Sequence, residues 1–212
     1  EREAPIGEVQ SRAEAAVIDA RRETHSGYAS ITDVVESELE TITDWQEHPL
    51  APGETRGLPT KIKALDQMLG GLLPGYYLVA GRPSMGKTSL LLQMLDGLCS
   101  EGVPSLLFSI EMSAQQNARR IACRRSGVSV ERLRRGEATP EEYGKVVNEL
   151  GVIDDWPLVI CDDSIVRPLD VLAKARRFLI ENGDLGVIFL DGIWLMTPES
   201  RRENRTQTGG GI

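Results

Sequence analysis

The residues from Gly81 to Thr88 have the types and the spacing that phosphate binding requires. They fit the pattern G-x-x-x-x-G-K-[ST] without a mismatch. Glycine at positions 81 and 86 lets the backbone approach phosphate groups closely, and successive N–H groups at a helix start attract anions. Lys87 is expected to contact the phosphates and Thr88 to offer its hydroxyl to Mg²⁺. We therefore predict a nucleotide site built from Gly81, Arg82, Pro83, Ser84, Met85, Gly86, Lys87, Thr88 and Ser89.

The segments on either side of this loop match the setting that the motif needs. Residues 76–80 are rich in aromatic and β-branched side chains and predict a strand, whereas residues 89–95 are strong helix formers. Strand, glycine-rich turn and helix in this order distinguish a phosphate-binding loop from a chance match. A glycine-rich turn with an incidental lysine is the plain alternative.

Acidic residues follow two further apolar runs. Asp191 ends the run 187–190 and is predicted to lie beside the Mg²⁺ that Thr88 holds. Glu111 follows the run 106–110 and is the candidate group for orienting or deprotonating an attacking water, although a surface glutamate at a strand–helix junction would look the same. Asp162 and Asp163 follow the run 157–161 and are interpreted as turn and cap residues.

Strand-like runs alternate with helical segments, which predicts an α/β fold with a mainly parallel sheet flanked by helices. Thr139 and Pro140 begin one predicted helix, and Pro168 begins another that runs to about residue 181. Ligands bind at the carboxyl ends of the strands in such sheets. We divide the chain into a helical segment over residues 1–50, a nucleotide-binding domain over 51–205 and a disordered tail over 206–212.

The helical segment contains two predicted helices, over residues 9–23 and 31–45. The second carries an apolar stripe that requires a packing partner, either its own domain or a neighbouring subunit. This segment is also strongly acidic: residues 1–50 hold twelve acidic and four basic side chains and account for the whole net charge of −8. The charge therefore gives no overall basic face for nucleic acid.

The cysteine and hydropathy patterns bear on the compartment of the protein and on membrane insertion. Three cysteines among apolar neighbours indicate reduced core residues in a cytoplasmic protein, and no apolar run reaches the ~18 residues of a membrane span.

A group of arginines is either a solvated surface or a contact to DNA or to a neighbouring subunit's nucleotide: Arg119, Arg120, Arg124, Arg125, Arg132, Arg134 and Arg135.

Several motifs surround the phosphate-binding loop in a characteristic order. They are Gly57-Leu58-Pro59-Thr60, Leu65-Asp66, Gly70-Gly71-Leu72, Pro74-Gly75 and Phe108-Ser109-Ile110-Glu111-Met112-Ser113. Together with the loop they resemble the motor domain of DnaB-type replicative DNA helicases, over about residues 30–205. The resemblance implies a RecA-like P-loop NTPase that uses ATP and Mg²⁺, with catalytic roles for Lys87 and Glu111 and a metal site at Thr88 and Asp191.

The resemblance also implies partners and an assembly. It implies a hexameric ring that unwinds duplex DNA at the replication fork by moving along single-stranded DNA, with the helix 31–45 docked on the next subunit. Primase and a helicase loader follow from the family alone. The family's DNA-binding loop, its arginine finger and its amino-terminal domain are expected to lie outside this chain, so we expect the isolated chain to hydrolyse ATP slowly and not to unwind DNA.

One departure from the family pattern lies beside the predicted metal site. The family usually has a glutamine three residues after its aspartate, whereas Trp194 stands there in this chain. This departure favours one alternative function, a non-catalytic nucleotide-binding module that regulates or inhibits a full-length helicase. Another RecA-like ATPase, such as a recombinase or a clock-type paralogue, is the second alternative.

Overall fold

The structure, a computed structural model, describes residues 30–197. Contacts within the chain divide it into two units, residues 1–52 and 53–212. The described part of the first unit contains helix α1 (Ile31–Glu47), and the Ser30 hydroxyl accepts a hydrogen bond from the Thr32 N–H at its start. The apolar stripe of α1 is exposed: Ile31, Val34, Val35, Leu39, Ile42 and Trp45. The predicted helix over 9–23 and the predicted tail over 206–212 lie outside the described residues.

The second unit is an α/β domain. Its elements are α2 (Lys63–Leu69), α3 (Lys87–Ser100), β1 (Ser105–Ser109), α4 (Ala114–Ser126), α5 (Val130–Arg134), α6 (Pro140–Asp154), β2 (Leu158–Cys161), α7 (Pro168–Asn182), β3 (Val187–Asp191) and a 3₁₀ helix (Ile193–Leu195). The three strands form a parallel sheet in the order β2-β1-β3. Within residues 30–197, no helix is long and apolar enough to cross a membrane.

Strand β1 lies at the centre of the sheet, and all of its residues are buried. Because successive strand residues face opposite sides, Leu107 packs with α3 and α4 while Leu106 and Phe108 pack with α7. Helices thus cover both faces of the sheet, as the alternating pattern predicts. The cysteines are free, and burial raises the pKa of the Cys99 and Cys123 thiols.

Local capping signals in the sequence set the ends of several helices. Thr139 accepts a hydrogen bond from the Glu142 N–H while the Glu142 carboxylate accepts one from the Thr139 N–H, and Pro140 is the first residue of α6. Helix α7 ends where Gly183 takes the left-handed conformation, at φ +79°. Both boundaries lie within one residue of their predicted positions.

The strand predicted over residues 76–80 is not present. These residues are exposed and take part in none of the three paired strands. The prediction used β propensity, which describes how well a side chain suits a paired and half-buried strand. Propensity does not provide the neighbouring strand with which a strand forms its hydrogen bonds. Within residues 30–197, no strand pairs with residues 76–80.

Candidate nucleotide-binding site

The loop before α3 has the backbone conformation that an anion-binding turn needs. Gly86, the residue before the helix, is left-handed at φ +87°, a conformation that glycine adopts without a steric penalty. Ser84 is also left-handed, at φ +62°. The Met85 N–H donates to the Arg82 carbonyl at 3.4 Å, and the Leu90 N–H donates to the Gly86 carbonyl at 2.9 Å. The loop therefore leads directly into a helix N-terminus, where the N–H groups and the dipole favour phosphate.

Lys87 is the first residue of α3, and its side chain folds back over the loop. Its Nζ donates to the Gly81 carbonyl at 3.0 Å and to the Arg82 carbonyl at 3.1 Å. The same ammonium lies 5.7 Å from the centre of the Trp194 indole ring. The Lys87 charge thus lies within the phosphate-binding loop, where it is predicted to attract phosphate.

Thr88 and Asp191 meet although 103 positions separate them in the chain. The Thr88 hydroxyl donates to Asp191 Oδ2 at 2.8 Å. Asp191 is buried at the carboxyl end of β3. A hydroxyl and a carboxylate are the oxygen donors that Mg²⁺ prefers, and it usually completes its coordination with water and substrate phosphates. This donor set therefore fits the predicted Mg²⁺ site.

Glu111 lies at the same edge of the sheet as Asp191. It follows β1, whose last residue Ser109 is in register with Asp191 of β3. The Ile110 N–H donates to the Asp191 carbonyl at 3.2 Å, and a Cβ added to Gly192 would lie 3.3 Å from Glu111 Cγ. Asp191 thus ends β3 and Glu111 follows the adjacent strand β1, and the Glu111 side chain is exposed at this edge.

Two polar residues to which the sequence assigned no role, Ser109 and Asn117, hold the turn that carries Glu111. The Ser109 hydroxyl donates to the Met112 carbonyl at 2.7 Å, and Asn117 Nδ2 donates to the Ser109 hydroxyl at 2.8 Å. Both side chains are buried. Ser109 was part of a recognised motif, but no sequence signal connects it with Asn117 in the following helix.

The other acidic strand end does not contribute to this site. The Ala114 N–H donates to Asp162 Oδ2 at 2.8 Å, so Asp162 caps the start of α4. Asp163 forms an ion pair with Lys174 of α7. The Asp162 contact agrees with the interpretation of that residue as a cap, whereas the side chain of Asp163 is an ion-pair partner of α7.

Most of the predicted arginine group is paired inside the chain. Arg124 and Arg125 contact Asp96 of α3, and Arg125 also contacts Glu149 of α6 at 2.5 Å. The hydrogen bond to Glu149 raises the pKa of Arg125. Arg132, Arg134 and Arg135 pair with Glu142 or Glu131. Among the described residues, only Arg119 and Arg120 of this group form no ion pair. Arg124, Arg125 and Arg132 thus join helices to one another, whereas Arg134 and Arg135 pair locally with Glu131 of α5.

Comparison with known proteins identifies the family. The model of the DnaB-like helicase C terminal domain matches residues 57–212. The chain belongs to this family. Similar proteins include the replicative DNA helicase DnaB of Geobacillus stearothermophilus, 32% identical over 97% of the chain. The replicative DNA helicase DnaC of Bacillus subtilis (strain 168) is 30% identical over the same share. The chain spans 45% of the length of each of these relatives.

Two solved structures have the same fold. One is an ATPase domain that superposes with a TM-score of 0.72 at 24% identity, over 84% of this chain and 62% of that one. The other is a DnaB-like replicative helicase, solved in a study of its interactions with primase. It gives a TM-score of 0.69 at 23% identity, over 94% of this chain and 51% of that one. The chain therefore has the RecA-like fold of DnaB-like helicase ATPase domains.

Proposed function

We propose that this chain binds and hydrolyses ATP as the motor domain of a replicative DNA helicase. The contact between the Thr88 hydroxyl and the Asp191 carboxylate carries the proposal. It joins the phosphate-binding loop to the end of β3 through two oxygen donors suited to Mg²⁺. A glycine-rich turn with an incidental lysine would not require an acidic strand end at this place.

Each residue of the site has a distinct role in this proposal. Residues 81–89 bind the phosphates through backbone N–H groups, and the Lys87 ammonium adds a positive charge. Thr88 and Asp191 would hold Mg²⁺, which neutralises negative charge on the phosphates. Glu111 orients the attacking water and accepts its proton, because its exposed carboxylate lies at the edge of the sheet where Asp191 also lies.

The wider activity rests on the family and on its relatives. We propose a cytoplasmic hexameric ring that moves along single-stranded DNA and unwinds the duplex at the replication fork, with primase and a helicase loader as partners. Two relatives are named replicative DNA helicases, and one of the similar structures comes from a study of interactions with primase. The exposed apolar stripe of α1 supports the further proposal that residues 31–45 dock on a neighbouring subunit.

Single-turnover and steady-state ATP hydrolysis by wild type and Glu111→Gln test the catalytic part. The variant keeps Mg-ATP affinity and loses about 10²- to 10⁴-fold in hydrolysis rate if Glu111 is the base. Glu137→Gln is the matched control, because Glu137 is an exposed glutamate in the loop between α5 and α6. Equal rates in wild type and Glu111→Gln would refute the role of Glu111.

The same measurements separate the catalytic function from a regulatory one. Lys87 also contacts the Trp194 indole, and this contact favours a nucleotide-binding module without turnover as the second candidate. Wild-type chain that binds Mg-ATP but shows no hydrolysis above the rate of Glu111→Gln would support that candidate. Slow hydrolysis by wild type that Glu111→Gln abolishes would support the motor.

A further inference from the structure

The Lys87 ammonium has an aromatic neighbour in addition to its hydrogen-bond acceptors. Two acceptors are the carbonyls of Gly81 and Arg82, at 3.0 and 3.1 Å. The third neighbour is the Trp194 indole, whose ring centre lies 5.7 Å from Nζ. This distance is within the range of a cation–π attraction, and indole is the most favourable aromatic side chain for it.

The turn after β3 places Trp194 beside the loop. Gly192 is left-handed at φ +92°, and the Leu195 N–H donates to the Gly192 carbonyl at 2.8 Å to close the 3₁₀ helix. A Cβ at position 192 would be strained at this φ and would come within 3.3 Å of Glu111 Cγ. The turn that carries the indole is therefore packed against the turn that carries Glu111.

The indole contact competes with phosphate binding. A lysine that contacts the β- and γ-phosphates directs its N–H donors at them. In the observed conformation at least two of its three donors point at loop carbonyls and its charge faces the indole. An indole has one donor and no acceptor, so it attracts the ammonium only through its ring. Contact of Nζ with both the β- and the γ-phosphate therefore requires the ammonium to give up at least one of these contacts.

We propose that Trp194 is a positioning residue that holds the Lys87 ammonium against the loop carbonyls and releases it when nucleotide binds. Trp194 then lowers the affinity for nucleotide and reports on occupancy of the site. This proposal rests on the proposed function, because the competing ligand is a nucleoside triphosphate. Trp194 is 60% exposed, so the contact has the strength of an exposed pair, equivalent to about a two- to fivefold change in affinity.

The lysine–indole contact can be measured without nucleotide. In a ¹³C-lysine NMR spectrum of the chain, ring current from Trp194 shifts the Lys87 ε-methylene resonance upfield, and Lys87→Met assigns this signal among the five lysines. Trp194→Leu removes the shift and Trp194→Phe reduces it. Lys174, 6.0 Å from the Phe108 ring centre, is the internal control and keeps its position. An unchanged Lys87 signal in Trp194→Leu would overturn the proposal.

The competition is tested by Mg-ATP titrations of the same variants. Trp194→Leu binds about two- to fivefold more tightly than wild type, and Trp194→Phe lies between them. Wild-type tryptophan emission changes on addition of Mg-ATP, and this change is lost in Trp194→Phe although Trp45 and Trp156 remain. Binding with equal affinity in all three proteins would overturn this proposal alone. Absence of binding in all three would overturn the proposed function and this proposal with it.

Discussion

Substitution of Gly97 by alanine is expected to destabilise the domain, because the helix that carries Lys87 and Thr88 packs very closely against Thr60. A Cβ at position 97 of α3 would lie 2.5 Å from the Thr60 carbonyl oxygen and 2.9 Å from Lys61 Cβ. Thr60 cannot retreat freely, since its N–H and its hydroxyl both donate to Asp66 Oδ1, at 2.8 and 2.7 Å. Thr60 is also fully buried.

Two opposing effects determine the size of this change. Alanine favours a helix interior over glycine by about 0.5–1 kcal/mol. Insertion of a methyl group into a packed contact costs about 1–3 kcal/mol. An ordinary Cβ contact begins at 3.4 Å, so the Thr60 backbone has to move by about 1 Å and the packing loss is the larger effect. We expect a net loss of about 1–2 kcal/mol, or about 2–8 °C in Tm for a chain of this length.

Thermal and urea unfolding followed by circular dichroism measure this loss. Gly144→Ala is the matched control: Gly144 also lies within a helix, α6, but a Cβ there meets nothing within 4 Å. The control is therefore expected to gain about 0.5–1 kcal/mol. If Gly97→Ala were as stable as wild type or more stable, the close approach of Thr60 to α3 would be refuted.

Three further predictions concern the metal site, an ion-pair network and a helix cap. Mg-ATP at a concentration of 100 times Kd is expected to stabilise wild type by about 2.7 kcal/mol and so to raise its Tm in a thermal-shift assay. Asp191→Asn is expected to lose this rise, and a full rise in the variant would contradict the metal site. Asp96→Ala leaves Arg125 without one of its two carboxylate partners and is expected to lower unfolding free energy by about 1–2 kcal/mol in urea, whereas no loss would show that the pair is energetically silent. The hydrogen bond from the Thr139 N–H lowers the pKa of the Glu142 carboxyl in the folded chain below its usual 4.5. The ionised carboxylate therefore stabilises the folded state above the pKa that Glu142 has in the unfolded chain, and this contribution is lost as pH falls through the lower pKa of the folded chain. Glu142→Gln should flatten this part of the stability–pH curve, and an unchanged curve would argue against the cap.

Local sequence signals predicted the elements that begin or end at a cap or at a loop motif. Thr139 with Pro140 and the loop that ends at Thr88 each specify a helix start through contacts within a few residues. The run that ends in Asp191 was predictable because a buried parallel strand is continuously apolar. Such features depend on interactions between residues that are close together in the sequence.

Features that depend on distant partners could not be predicted in this way. Residues 76–80 have strand propensity but no paired neighbour among the described residues. Arg125 reaches Asp96 across 29 positions, so its pairing has no periodic signal in the sequence. The approach of Trp194 to Lys87 likewise depends on how two turns pack. The sequence predicted that Thr88 and Asp191 lie together, and the structure brings them into contact, but it did not predict how Lys87 is held.

Titration calorimetry of Mg-ATP into the wild-type chain and into Lys87→Ala tests the central claim most directly. We expect micromolar binding by wild type that is lost in Lys87→Ala, because removal of the lysine charge takes away the phosphate contact that the loop is predicted to provide. Circular dichroism of the variant confirms that it is folded. Absence of binding in wild type, or equal binding in both proteins, would contradict the assignment of a nucleotide site to this loop.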